Sequence, residues 1–341
     1  MPTLSSTWVA ACRVSGRFDP WPVLEALGGP EAFETSPGRV LASAGFPLDA
    51  ASRVAGTPAL DTVHPFVIAG TLGYPPALRG LPHAPPVLFL AGEPACFERP
   101  AVAIVGSRNC TGWGLRTART LAHAVALAGG VVVSGLARGI DTAAHEGALE
   151  GGFTIGVPGH GLDATDRPAA ARLIARILEA KGLVASEFLP DEPAQRWTFL
   201  QRNRVIAGLA RVVVVVEADH RSGALSTARH GLALGREVLA VPGPWDARTS
   251  QGCLDLLEDG ATLVRGPRTV LAAAGLDGAA QPATGTPPAA RILEEALGLG
   301  GTVDQVAARA GLGLVETLRL LADLEVAGLV RRQPGQRYER A

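Results

Sequence analysis

The stretch VVVSGLARGIDTAAHEGAL, residues 131–149, decides the fold. A β-branched run stops at Ser134 and Gly135, an arginine and a second glycine follow, and the rest has helical spacing. A strand that ends in a small-residue turn and restarts as a helix is one βα unit. The same punctuation closes AVAIVG (101–106), GVVVSG (130–135), TIGVPG (154–159), LVASE (183–187), VVVVVEA (212–218) and VLAVPG (238–243). Unbroken apolar strands suit a parallel sheet buried on both faces. Six such units predict an α/β, doubly wound, extended Rossmann-like domain over residues 66–270. Ligands of such folds sit beyond the carboxyl ends of the strands. Here every end is marked: GSRN, SGLARGID, PGHGLD, SEF, EADHRSGAL and PGPWD.

On either side the pattern changes. Residues 1–65 carry short helical segments with glycine stops, such as WPVLEALGGPEAF and PGRVLASAGF. They predict a small all-α module, helical-hairpin or SAM-like, whose acidic balance favours a structural or interaction role over DNA binding. Residues 271–288 are rich in Ala, Gly, Pro and Thr and read as a linker. Residues 289–341 give helix, helix, turn, helix and a short hairpin, the order of a winged helix.

Composition excludes several classes. The chain has 341 residues, 47% hydrophobic, with a net charge of −1. The charge is unevenly spread: −3 over residues 1–98, +3 over 99–268 and −1 over 269–341. Basicity is almost all arginine, since Lys181 is the only lysine; arginine suits bidentate phosphate contacts, although a GC-rich genome produces the same bias. The four cysteines form no CxxC and the histidines no HxxxH, so neither a zinc site nor a disulfide framework is expected. The first residues lack a basic n-region and a long apolar run, and no window has membrane-span character. The expectation is a cytoplasmic protein without a metal, a cofactor or a membrane contact.

The strand ends supply the site candidates. Gly106 permits close backbone approach, and Arg108, just past Ser107, is placed to meet an anion. In the opening stretch, Gly135, Arg138 and Gly139 precede a helix; successive amides of such a turn form an anion nest. Asp141 is read as the N-cap and His145 as packing against the sheet, while Arg138 either joins the nest or braces the sheet edge. In AQRWTFLQRNRVIAGLA, residues 194–210, Arg196, Phe199 and Asn203 share a helical stripe that suits phosphate, base face and base edge. Arg202 and Arg204 splay by about 200° and cannot both reach one ligand from mid-helix. Ser222, Gly223, Ser226 and Thr227 offer small donors at a helix start, flanked by Arg221 and Arg229 and followed by Arg236. No GxxxxGK[ST] loop and no GxSxG elbow occurs, so no enzyme is expected. Glu187 and Glu217 are read as structural.

Assembled in order, YPPALRGLPHAPPVLFLAGEP, IVGSR, SGLARGIDTAAH, GHGLD, FLQRNRVIAGL, VVEADHRSGALSTA, GREVLAVPG and QGCLDLLEDGAT resemble the DNA-processing protein A (DprA, or Smf) family across about residues 66–265. The flanking modules match its longer members. The resemblance implies a homodimer, formed through the Rossmann-like domain, that binds and protects single-stranded DNA in natural transformation. It further implies loading of the RecA recombinase onto that strand, with neither turnover nor metal. It carries DNA contact to Arg108, to FLQRNR (Phe199, Arg202, Asn203, Arg204), to SGALSTA and to the basic residues after it, and matches Arg196 to a basic residue three before the phenylalanine. The chain departs after GLD, where ATDRPAAARL replaces a Tyr-Pro pair and leaves Arg167 or Arg172 as substitutes, and at Leu200 in place of a proline.

A row of phosphate pockets with one aromatic fits a flexible single strand. The candidate duplex-reading helix, LVETLRLLADLE (314–325), is acidic beside a basic wing, RRQPGQRYER, so the winged helix is expected to add little DNA affinity and to meet protein. The alternative functions are a phosphoribohydrolase-like nucleotide-processing enzyme, whose PGGxGTxxE motif this chain lacks, and a ligand-sensing transcription regulator.

Overall fold

The computed structural model describes residues 1–164, 167–277, 301–310, 313–326, 330–333 and 337–340. The chain forms two compact units, Met1–Ala279 and Ala280–Ala341.

The first unit opens with a two-stranded ladder, β1 (Thr3–Leu4) on β2 (Leu60–Asp61), which closes around five helices. These are α1 (Ser6–Arg13), α2 (Pro20–Leu27), α3 (Pro30–Thr35), α4 (Gly38–Ser43) and α5 (Leu48–Ala51). Local chemistry sets the boundaries. Asp19 caps α2 by accepting from the Trp21 amide at 3.0 Å, and proline leads both α2 and α3. Gly28, at φ 87°, stops α2 in the left-handed region. Trp8 stacks on Phe33 with ring centroids 4.5 Å apart, and this core is continuous with one face of the main sheet through Leu88 and Phe89.

That sheet has nine strands: β3 (Phe66–Ile68), β4 (Val87–Gly92), β5 (Ala101–Val105), β6 (Val131–Ser134), β7 (Phe153–Gly156), β8 (Leu183–Ser186), β9 (Val212–Val215), β10 (Glu237–Ala240) and β11 (Thr262–Leu263). Their order is β11-β10-β9-β5-β6-β7-β8-β4-β3. Pairing is parallel from β11 to β8 and antiparallel from β8 through β4 to β3. The fold is therefore doubly wound as expected, but the sheet is mixed. The six apolar runs are its centre. The additions are β11 at one edge and β4 and β3 at the other; β3 and β11 have only three and two residues and no buried side chain.

Helices α6 (Gly112–Leu127), α7 (Ile140–Leu149), α8 (Pro168–Glu179), α9 (Arg196–Leu209), α10 (Gly223–Ala233), α11 (Gln251–Glu258) and α12 (Pro267–Ala273) cover both faces. Strand alternation divides the core accordingly. Val131, Val133, Val213 and Val215 face one cluster, and Val132, Val212 and Val214 face the other. These side chains are apolar because neither face meets water, and the buried polar residues of the strands, Ser134, Thr154 and Ser186, each donate to a backbone carbonyl.

In the second unit β12 (Gly301–Thr302), α13 (Val303–Ala310), α14 (Leu314–Val326), β13 (Val330–Gln333) and β14 (Arg337–Arg340) form a winged helix, with β14 between β12 and β13. Val303, Val306, Leu321, Val330 and Tyr338 make its core. Beyond residue 277 the linker, and the first helix expected from about residue 289, lie outside the described residues.

Candidate functional site

The strand order places the switch point. After β5 the chain winds through β6, β7 and β8 on one side, then returns to lay β9 against the other side of β5. The loops leaving β5 and β9 diverge, and a crevice opens between them at the carboxyl edge. It is a cleft of about 570 Å³ lined by residues 105–109, by Asp219 and residues 221–224, and by α9. Five arginines line it (Arg108, Arg196, Arg202, Arg221, Arg248) against two carboxylates, Asp141 and Asp219.

Glu217 staples the two walls together. Its carbonyl accepts from the Ser107 amide at 2.7 Å, and its carboxylate accepts from the Thr111 amide and hydroxyl at 2.8 and 2.6 Å. Thr111 in turn caps α6 through the Gly114 amide. Gly106 has room for nothing larger: a Cβ there would lie 2.7 Å from Ile140 and 2.9 Å from the Glu217 carbonyl.

The turn after β6 clamps this loop from the other side. Leu136 and Gly139 take positive φ, 58° and 88°. A Cβ on Gly139 would sit 2.4 Å from the Ser107 carbonyl oxygen, and the Ile140 amide donates to that same carbonyl. Gly139, not Asp141, is the N-cap of α7. Asp141 lies in the first turn and folds inward, because the amides of Ala137 and Gly135 and the guanidinium of Arg202 surround its carboxylate. Burial raises its pKa against the pull of Arg202, and burial pushes Arg202 down to about 10, still cationic at neutral pH. The nest amides at Gly135 and Ala137 are thus engaged by the protein's own carboxylate. Arg138 is exposed and donates to the Asn109 side chain. His145 packs against the sheet as expected, with Nδ1 on the Thr154 hydroxyl at 2.8 Å; burial lowers its pKa to about 3.

Helix α9 presents different faces to different partners. Arg196 is exposed at its first position. Phe199 lies over Gly159, with the guanidinium of Arg108 5.0 Å and that of Arg167 5.8 Å from its ring centre. Asn203 donates to the Gly223 carbonyl at 3.1 Å and ties α9 to α10. Arg202 is buried at the cleft floor, donating to the carbonyls of Gly135 and Val157. Arg204 turns away: its guanidinium pairs with Glu187 at 2.5 Å, beside Ser15 and Gln201.

At α10, Ser222 is the N-cap and accepts from the Ala224 amide. Ser222, Gly223 and Thr227 line the cleft, with Thr227 buried. The cleft therefore gathers Gly106, Ser107, Arg108, Arg196, Phe199, Arg202, Asn203, Ser222, Gly223 and Thr227. Gly135, Arg138, Gly139, Arg204 and Ser226 do not line it, and Arg236 lines a separate pocket. Asn109 and Arg248 were not singled out from sequence; Arg248 pairs with Asp219 across the rim. Among the described residues no cluster of metal-ligating side chains occurs, and no helix is long and apolar enough to cross a membrane.

Fold and cleft together define a class: a Rossmann-type α/β protein with an arginine-lined switch-point cleft, carrying a C-terminal winged helix. The family model described as DNA recombination-mediator protein A matches residues 66–275, and that of the DprA winged helix domain matches residues 277–336. The chain belongs to the DNA recombination-mediator protein A family. Protein Smf of Escherichia coli strain K12 is 38% identical over 285 residues, 80% of this chain and 76% of that protein. DNA processing protein DprA of Streptococcus pneumoniae is 42% identical over 200 residues, 58% and 70% of the two chains. The X-ray structure of the Streptococcus pneumoniae protein superposes with a TM-score of 0.70 at 34% identity, covering 79% of this chain and 98% of that one. DNA processing protein A from Helicobacter pylori, described for its single-stranded DNA binding mode, gives 0.55 at 29%, covering 62% and 97%.

Proposed function

We propose that the chain binds single-stranded DNA in the switch-point cleft, shields the incoming strand in natural transformation and helps load the RecA recombinase onto it. It acts as a homodimer through the Rossmann-like domain, in the cytoplasm, without catalytic turnover. The observation that carries the reading is the convergence of Arg108, Phe199 and the α10 N-terminus on one cleft, in a family whose Helicobacter pylori member is described for binding single-stranded DNA. Guanidiniums and helix-start amides suit phosphates, and an aromatic flanked by arginines suits one splayed base. The nest at residues 135–139 contributes by holding the Ser107–Arg108 backbone in place. Arg204, Ser226 and Arg236 do not line this cleft, whereas Arg138, exposed and bonded to the lining residue Asn109, stands at its rim.

The test is binding of a fluorescent dT oligonucleotide against a duplex of equal length across salt, for wild type and Arg108→Ala. Single-strand preference, a negative salt slope and a loss of about tenfold or more in the variant, ~1.4 kcal/mol, are expected. Equal binding of both forms with no effect of the substitution, or release of free base from nucleoside monophosphates, would overturn the reading.

A further inference from the structure

A second concavity, of about 640 Å³, lies at the opposite edge of the same sheet. It is lined by Ala101 at the start of β5 and by Arg211 and Arg236, which immediately precede β9 and β10. It is therefore at the amino ends of three adjacent strands, whereas the cleft is at their carboxyl ends. Four arginines line it, Arg79, Arg99, Arg211 and Arg236, against the single carboxylate Glu98. Arg99 has local work, donating to the Gly129 carbonyl and covering the Phe153 ring. Among the described residues the other three form no ion pair, and Arg236 Nε is shut off from solvent without a hydrogen-bond partner. Convergent guanidiniums repel one another, and a bound anion removes that cost.

The walls identify the anion. Tyr74, Phe97 and Leu209 supply an apolar floor, and Pro75, Pro76 and Pro94 stiffen the rim. Tyr74 offers no stacking face: it is buried, its hydroxyl donates to the Pro85 carbonyl at 2.7 Å, and Trp21 meets its ring edge-on, which leaves the partly exposed Phe97 to meet an apolar anchor. An apolar floor under an arginine rim fits carboxylates flanking an apolar side chain, and a rigid rim lowers the ordering cost of capture. We propose that this pocket is a docking site for a short acidic peptide segment of a partner protein, anchored by one apolar side chain.

The experiment selects a phage-displayed random dodecapeptide library on the full chain. The enriched peptide, labelled with fluorescein, is then titrated against wild type, Arg211→Glu, Ala95→Trp and Arg108→Ala. Arg211 and Ala95 are exposed, so charge reversal and added bulk there leave the fold intact. An acidic and apolar consensus is expected, weakened at least tenfold by Arg211→Glu and by Ala95→Trp and unaffected by Arg108→Ala. The dT affinity of Arg211→Glu should stay within twofold of wild type. No consensus, or a consensus peptide that binds both pocket variants as well as wild type, overturns the proposal. So does a tenfold loss of dT binding in Arg211→Glu, which would assign the pocket to the DNA strand instead.

Discussion

Glu187 and Arg204 form the most buried ion pair among the described residues, with side chains 1% and 7% exposed. The Glu187 carboxylate accepts from Arg204 Nη2 at 2.5 Å, from the Ser15 hydroxyl at 2.5 Å and from Gln201 Nε2 at 3.0 Å. Arg204 Nε and Nη1 have no partner. Replacing Glu187 with alanine therefore strands three donors, one of them a guanidinium cation whose remaining contact is the neutral Ser15 hydroxyl at 3.3 Å. Breaking a buried pair from one side costs about 3–5 kcal/mol, and the upper half of that range is expected here because no other carboxylate touches Arg204. Removing both charges, as Glu187→Leu with Arg204→Met, should recover most of the loss, since the desolvation cost of the pair disappears with it. Urea unfolding of the full chain for wild type, Glu187→Leu, Arg204→Met and the double variant closes the cycle. A coupling of at least about 2 kcal/mol is expected. Single substitutions costing under about 1 kcal/mol, or single costs that simply add in the double variant, would refute the argument.

Gly139→Ala should cost more than the roughly 1–2 kcal/mol of positive φ alone, because its methyl meets the Ser107 carbonyl, whereas Gly223→Ala, facing open space, should stay within about 0.5 kcal/mol; urea midpoints compare them. Phe199→Ala should weaken dT binding by about 1–3 kcal/mol, the value of one stacked base, read by fluorescence polarisation. His145 has its pKa lowered from 6.5 to about 3 by burial, so the unfolded chain takes up a proton first. Its contribution is intact above pH 6.5 and is lost as pH falls toward 3, about 1.4 kcal/mol per unit, and the stability–pH slope of His145→Gln should be flatter by that amount. Deleting residues 285–341 should lower dT affinity less than tenfold, and a larger loss would make the winged helix a DNA-binding element.

The central strands were legible because burial on both faces leaves them almost wholly apolar, Ser134, Thr154 and Ser186 aside; no other element yields VVVVV followed by a carboxylate and a small residue. The edges were not, since β3 and β11 are too short to carry a period. Site residues were legible where they follow a strand and obscure where tertiary partners decide. Arg202 and Arg204 look alike in sequence, yet one binds carbonyls after β6 and β7 and the other binds Glu187 and Ser15, the last 189 residues away. No local pattern announces such partners. Arg236 is different. It precedes the run VLAVPG, and a residue before a parallel strand lies at the amino edge, away from the ligand crevice. That rule needed only the sequence, as did Arg248, which follows the marked end PGPWD.

These placements change what the arginine count means. Five arginines line the cleft, but Arg202 is buried and committed to two backbone carbonyls beside Asp141. It cannot reach a phosphate without abandoning them. Arg108, Arg196, Arg221 and Arg248 are the exposed cations at the cleft; Arg248 spends only its Nε on Asp219, and Arg108 stands over Phe199 as well. The interior arginines do a different job. Arg202 locks α9 to the carboxyl edge of the sheet while Arg204, two residues on, locks it to the helical module. The splay that keeps them from sharing a ligand fixes the helix from two directions, and Phe199 and Arg196 are presented on a support that cannot rotate.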